Sequence, residues 1–262
     1  MTMDPSSFLL LNLPAHFELP VCMDYFTLNA PPDTHIWRKP ASRDTTTAPL
    51  VYTSLRHPFV ISEVTVTANW EMEWDQAGLV IFAGAPPGEQ APLPPRARHR
   101  SRENISDEPR AQGKWVKAGL EFTAGTLNAS CTVATSSSGA DWSLSPILPA
   151  AMPHEALPLS MSSLRIKFER IGDSLWVWYR MPNVPTSTTM PSPEAAGAEW
   201  KKIREVMGFF RGVEDKYGVW VGCYASRPMN FTPSHSWEAE RVTGSNGDWN
   251  GLLVEFEDLE IF

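Results

Sequence analysis

Hydrophobic and polar residues alternate in short runs through most of the chain, and each run predicts a β-strand with one buried face. The clearest lies at 60–69. Val60, Ser62, Val64, Val66 and Ala68 fall on one face, and Ile61, Glu63, Thr65, Thr67 and Asn69 on the other. Residues 77–83 (AGLVIFA) are almost wholly apolar, the pattern of a central strand covered on both faces. Residues 115–123 alternate again, and 130–136 are small and polar. The runs 164–170 and 174–180 flank Gly172-Asp173, which predicts a hairpin. Runs at 219–226 and 252–262 close the series. Many short strands with Gly, Pro and Ser punctuation predict an all-β sandwich or barrel. One stretch breaks the pattern. Trp200, Ile203, Met207 and Phe210 fall at helical spacing behind Pro193-Glu194, so pattern alone predicts a helix there.

Three long loops interrupt the strands. Residues 85–113 are rich in Pro and Arg, with a basic centre at 96–102. The simpler reading is a solvated insertion, and the sharper one is a lid over a binding face. Residues 181–197 are rich in Pro, Ser and Thr, and 227–251 carry Trp237 and Trp249.

Length and composition narrow the picture. The 262 residues, 42% hydrophobic, suffice for one large sandwich with its own core, so 1–262 is read as one domain. A net charge of −8 repels phosphate backbones and anionic membranes, so neither nucleic acid nor a membrane surface is an expected partner. Three widely spaced cysteines, Cys22, Cys131 and Cys223, form no disulfide framework or zinc motif. Reduced thiols and an N-terminus without a basic leader region predict a cytoplasmic protein. The 11 tryptophans predict either an aromatic core or an aromatic-lined binding face.

Several segments recur in a known order. They are Trp74-Asp75-Gln76-Ala77-Gly78-Leu79, then Trp115-Val116-Lys117-Ala118-Gly119-Leu120-Glu121-Phe122, then Ala140-Asp141-Trp142-Ser143. Residues 32–38 (PDTHIWR), 199–204 (EWKKIR), 221–226 (VGCYAS) and 254–258 (VEFED) extend the series. Together they resemble the DUF1349 family, the YesU-like group of concanavalin A-like proteins, over roughly residues 20 to 262. The chain departs from that pattern at His35, where Asp is usual, and at 85–113, where a short connection is common. The resemblance implies a two-sheet antiparallel jelly roll and a strand, not a helix, around 200–204. Related jelly rolls bind or cleave glycans on a concave sheet.

Candidate chemistry centres on 115–122. In a strand, Val116, Ala118, Leu120 and Phe122 face the core, while Trp115, Lys117, Gly119 and Glu121 face the other way. Lys117 and Glu121 lie about 13 Å apart along such a strand, so each takes a partner from a neighbour. Asp75 or Asp141 is expected beside Lys117, and Arg165, Lys167 or Arg180 beside Glu121. Gly119 leaves room for a ligand or a stacked ring. Candidate acid–base residues are Lys117, Glu121 and Asp141. Candidate ligand contacts are Trp115 and Trp142, with Trp37, Arg38, Asp75, Gln76 and Tyr224 from the ordered segments. The simpler reading of Asp75 and Asp141 is structural pairing at strand ends. The acidic run at 255–260 lacks glucanase spacing, the six histidines are scattered, and no nucleophile elbow, P-loop or dinucleotide fingerprint is present. No cofactor or metal is therefore expected. Two functions fit: binding of a small organic or glycan-like ligand, or cofactor-independent catalysis by an isomerase, cyclase or hydrolase on the same face. A plain interaction domain is the third reading.

Overall fold

A computed structural model of the chain describes residues 5–39, 43–55, 57–84, 113–135, 139–147, 162–181, 199–212, 218–230 and 251–262. Of the expected loops, residues 85–112, 182–197 and 231–250 lie outside this set. The strands are β1 (Phe8–Leu11), β2 (Tyr25–Ala30), β3 (Ile36–Arg38), β4 (Asp44–Thr46), β5 (Leu50–Ser54), β6 (Ile61–Ala68), β7 (Gln76–Ala83) and β8 (Lys114–Thr123). They continue with β9 (Thr126–Ala134), β10 (Asp141–Pro146), β11 (Ser163–Ile171), β12 (Ser174–Arg180), β13 (Lys201–Val206), β14 (Val219–Ser226) and β15 (Leu252–Ile261).

These strands build a two-sheet antiparallel jelly roll. One sheet runs β1-β5-β14-β7-β8-β9-β10, the other β13-β12-β11-β6-β15-β2, and β3 and β4 form a separate hairpin. Side-chain alternation explains the core between the sheets. Leu79 and Ile81 of β7, Val116, Ala118 and Leu120 of β8, and Val221 and Cys223 of β14 face inward from one sheet. Val64 and Val66 of β6, Ile166 and Phe168 of β11, and Val254 and Phe256 of β15 meet them from the other. Val60, at the exposed end of its run, lies just outside β6. The β11–β12 hairpin closes through Gly172 at φ 61° and Asp173, as the turn signal predicts.

The stretch after Trp200 is a strand and not a helix. Its residues pair antiparallel with β12, with a register shift between Val177 and Trp178. Ile203 packs on the core, Met207 points into solvent, and Gly208 at φ 63° ends the strand. The apolar spacing that imitates a helix is thus shared between an edge strand and the turn that follows it.

A second apolar cluster lies on the opposite face of the seven-stranded sheet. Leu50, Tyr52, Val80, Phe82, Trp115, Ala134 and Tyr224 carry there the weight of Ile36 and Ala48 from the hairpin region. The hairpin is clamped by Arg38. Its guanidinium binds both Asp44 oxygens, at 2.6 and 2.7 Å, and donates to the carbonyls of Thr135 and Gly113. Among the described residues, the hairpin thus roofs one part of this face and leaves the adjoining part open.

Candidate functional site

Beside the hairpin, the uncovered part of the face forms a half-open cavity of about 330 Å³. Strand register explains its floor. Lys117 and Glu121 of β8 alternate with core residues and so point out of the sandwich. Gln76 of β7 lies opposite Glu121, and Thr132 of β9 lies opposite Lys117. Trp142 of β10 is next to Thr132 in register. Trp37 and Ile36 come from β3, and His35, Trp74 and Pro228 complete the walls.

Each charged group at the floor is removed from water. Lys117 is 2% exposed and donates to Gln76 Oε1 at 2.5 Å. The rings of Tyr224 and Trp37 lie 5.5 and 6.0 Å from its Nζ. Burial lowers its pKa to about 8, opposed by the field of Glu121. Glu121 is also 2% exposed and accepts the indole N–H of Trp142 at 3.2 Å. Burial raises its pKa, while Lys117 and hydrogen bonds from Trp142 and Ser130 pull it back. Burial and the neighbouring Lys117 lower the pKa of His35, opposed by the field of Asp33.

Between the two charges, Gly119 faces Gly78 across β7–β8. A Cβ at Gly119 would lie 1.8 Å from the carbonyl oxygen of Ala77, and one at Gly78 2.0 Å from that of Ala118. Neither position accepts a side chain, so the row stays bare. Trp74 sits at one rim with φ 68°, a conformation that a bulky residue adopts only under constraint. Its N–H donates to Phe122 O at 2.7 Å, and its carbonyl accepts Gln76 Nε2 at 3.2 Å. It remains 42% exposed, and Trp142 41%.

The remaining sequence candidates sit elsewhere. Lys117 meets neither Asp75 nor Asp141, and Glu121 meets none of Arg165, Lys167 or Arg180. Asp75 is fully buried and pairs with Arg227 through both oxygens, at 2.8 and 2.7 Å. One of those oxygens also accepts the backbone N–H groups of Glu71 and Met72, which shapes the turn carrying Trp74. Asp141 is adjacent to Trp142 and so points to the opposite side of its strand, where it pairs with Arg204 of the other sheet. Arg165 pairs with Glu63 and Lys167 with Glu169, both on the six-stranded sheet. Trp115 lies on the expected face but beneath the hairpin, its indole N–H donating to Asp44 at 3.0 Å. Arg38 is the hairpin clamp. Tyr224 is buried under the floor, its hydroxyl 3.5 Å from Gln76 Oε1. Trp37, Gln76, Lys117, Glu121 and Trp142 are the candidates that line the cavity.

Sequence reasoning missed Arg227, His35, Trp74, Thr132 and Pro228. Thr132 was legible: Asn128, Ser130 and Thr132 alternate with the apolar Ala129, Cys131 and Val133. Arg227 carries no local signal, because its partner stands 152 residues away in sequence. Among the described residues, no group of three or more His, Cys, Asp or Glu is placed to hold a metal ion.

The family model described as "Protein of unknown function (DUF1349)" matches residues 11–262. The chain belongs to DUF1349. An uncharacterized protein of Emericella nidulans is 31% identical over 206 residues, 78% of each chain. A functionally unknown protein from Saccharomyces cerevisiae superposes with a TM-score of 0.56 at 16% identity, covering 99% of this chain and 98% of that one. A GH43 protein from Bacillus licheniformis superposes at 0.51 with 11% identity, over all of this chain and 38% of that one. These likenesses show that DUF1349 shares its sandwich fold with parts of GH43 proteins.

Proposed function

We propose that the cavity binds a sugar-sized, glycan-type ligand. One observation carries the reading: Trp37, Trp74 and Trp142 stand around an open space whose floor holds Lys117, Gln76, Glu121 and Thr132. Indole faces bind the apolar faces of a sugar ring, and the charged and amide groups hydrogen-bond its hydroxyls. The cavity volume lies near the lower end of the roughly 300–1,000 Å³ usual for small-molecule sites, which suits one or two sugar rings. The sandwich likeness to GH43 proteins supports the reading at the level of fold alone.

A second reading, acid–base catalysis without a cofactor, rests on a different observation. Lys117 and Glu121 share one cavity, and burial displaces both pKa values toward neutrality. One experiment separates the two. Tryptophan fluorescence is titrated with a panel of mono- and disaccharides, and the ligand is recovered for NMR. Binding predicts saturable quenching that Trp142→Ala and Trp37→Ala each weaken about tenfold, or 1.4 kcal/mol, with the sugar recovered unchanged. Catalysis predicts an altered sugar, and a reaction lost in Glu121→Gln. No saturable response to any member of the panel counts against both.

A further inference from the structure

Among the described residues the buried charged side chains are Arg38, Asp75, Lys117, Glu121 and Arg227. Two of these cations hold a carboxylate in direct contact, Arg38 with Asp44 and Arg227 with Asp75. Lys117 holds none. Its ammonium group has three donor hydrogens, and the neutral Gln76 amide oxygen takes one of them. Two aromatic faces flank it, at 5.5 and 6.0 Å. Glu121 stands further along the same strand and acts on Lys117 through its field only.

The two floor charges therefore differ in what they lack. Glu121 is an acceptor already served by two donors, Trp142 and Ser130. Lys117 is a donor with spare hydrogens, and it faces the cavity. Thr132 stands directly opposite it in register and lines the same corner. A buried cation short of acceptors binds an incoming anion more strongly than a neutral hydroxyl, because charge-assisted hydrogen bonds strengthen away from water.

We propose that the ligand is an acidic sugar, a uronate, whose carboxylate sits on Lys117 while its ring lies between the tryptophan walls. This rests on the sugar-binding reading above and adds the charge of the ligand. The protein as a whole is acidic, so long-range attraction does not gather anions. The selectivity comes from the contact at Lys117.

The test uses matched pairs: glucose with glucuronate, galactose with galacturonate, and acetate as a carboxylate without a ring. Affinities come from tryptophan fluorescence and calorimetry on the full chain. The expected result is a uronate preference of at least about tenfold over the neutral partner. In Lys117→Met the acidic-to-neutral ratio falls to about one. A second measurement leaves the ammonium unmodified. Lysine labelled with ¹³C at Cε is incorporated biosynthetically, and the signal absent from Lys117→Met shifts with uronate but not with the neutral sugar. Equal binding of both partners overturns this inference and leaves the sugar-binding reading standing. Acetate binding as tightly as uronate upholds the anion site and overturns the sugar reading. No binding by any of the five overturns both.

Discussion

Folding takes the Lys117 ammonium out of water and gives it an amide oxygen in place of a hydration shell. Its pKa falls from the ordinary 10.5 to about 8. Between those two values the unfolded chain binds more protons than the folded one, so this group's contribution to stability rises with pH there. Its cost is at full size below pH 8. For Glu121 the sign is the reverse. Its pKa is raised from 4.5, and its cost grows as pH climbs from there to the folded value, above which it is complete. Both costs coincide in the interval between. The double variant Lys117→Met, Glu121→Gln is therefore expected to be more stable than the natural chain near neutral pH, by on the order of 1–3 kcal/mol. The gap should shrink toward pH 4 and again toward pH 10. Denaturant midpoints across that range measure it, and a gap independent of pH argues against buried charge as its source. A site kept at a cost to stability is the usual mark of function.

At the scale of elements, the Asp75–Arg227 pair holds three segments together. Asp75 shapes the turn before β7. Arg227 follows β14, and its backbone exchanges hydrogen bonds with Thr34 ahead of β3. Those segments deliver Trp74, Pro228, His35 and Trp37 to the cavity walls. Arg227→Met leaves the Asp75 carboxylate buried without its counter-ion, at an expected cost of about 3–5 kcal/mol. Adding Asp75→Asn should recover part of that loss, since the amide oxygen still accepts from the Glu71 and Met72 backbone. Urea unfolding of both variants at constant m decides it. A double variant no more stable than the single would show that the pair's charge balance is not what holds the turn. The sequence made β6, β8, β11, β12, β14 and β15 legible through alternation over seven or more residues, and β7 through its almost wholly apolar run. It did not reveal β3 and β4, which are three residues each and are joined at one end by the Arg38–Asp44 contact. It placed Trp115 on the correct face of β8, yet could not show that a hairpin distant in sequence lies over it.

Across the whole molecule, stability is graded from the middle of the seven-stranded sheet outward. β7, β8 and β14 are paired on both sides and almost wholly buried, whereas β1, β10, β13 and β2 are sheet edges. Native-state hydrogen exchange should therefore be slowest in β7, β8 and β14, with protection approaching the global unfolding free energy, and fastest in the four edge strands. Mass spectrometry of peptides spanning each strand measures this order. Uniform protection across the sheet would mean that the sandwich opens only as a unit. The cavity floor belongs to the protected centre, while Trp142 stands on an edge strand.

The bare glycine row has a consequence for how such a site can diversify. Substitution at Gly78 or Gly119 meets the backbone of the adjacent strand, so lineages cannot raise a side chain between Lys117 and Glu121 one residue at a time. Variation is channelled to the rim, to positions such as Trp37, Trp74, Trp142 and Pro228, whose side chains change without moving a strand. Descendants of this architecture should therefore differ in which ligand ring they accept far more readily than in the depth at which they hold it.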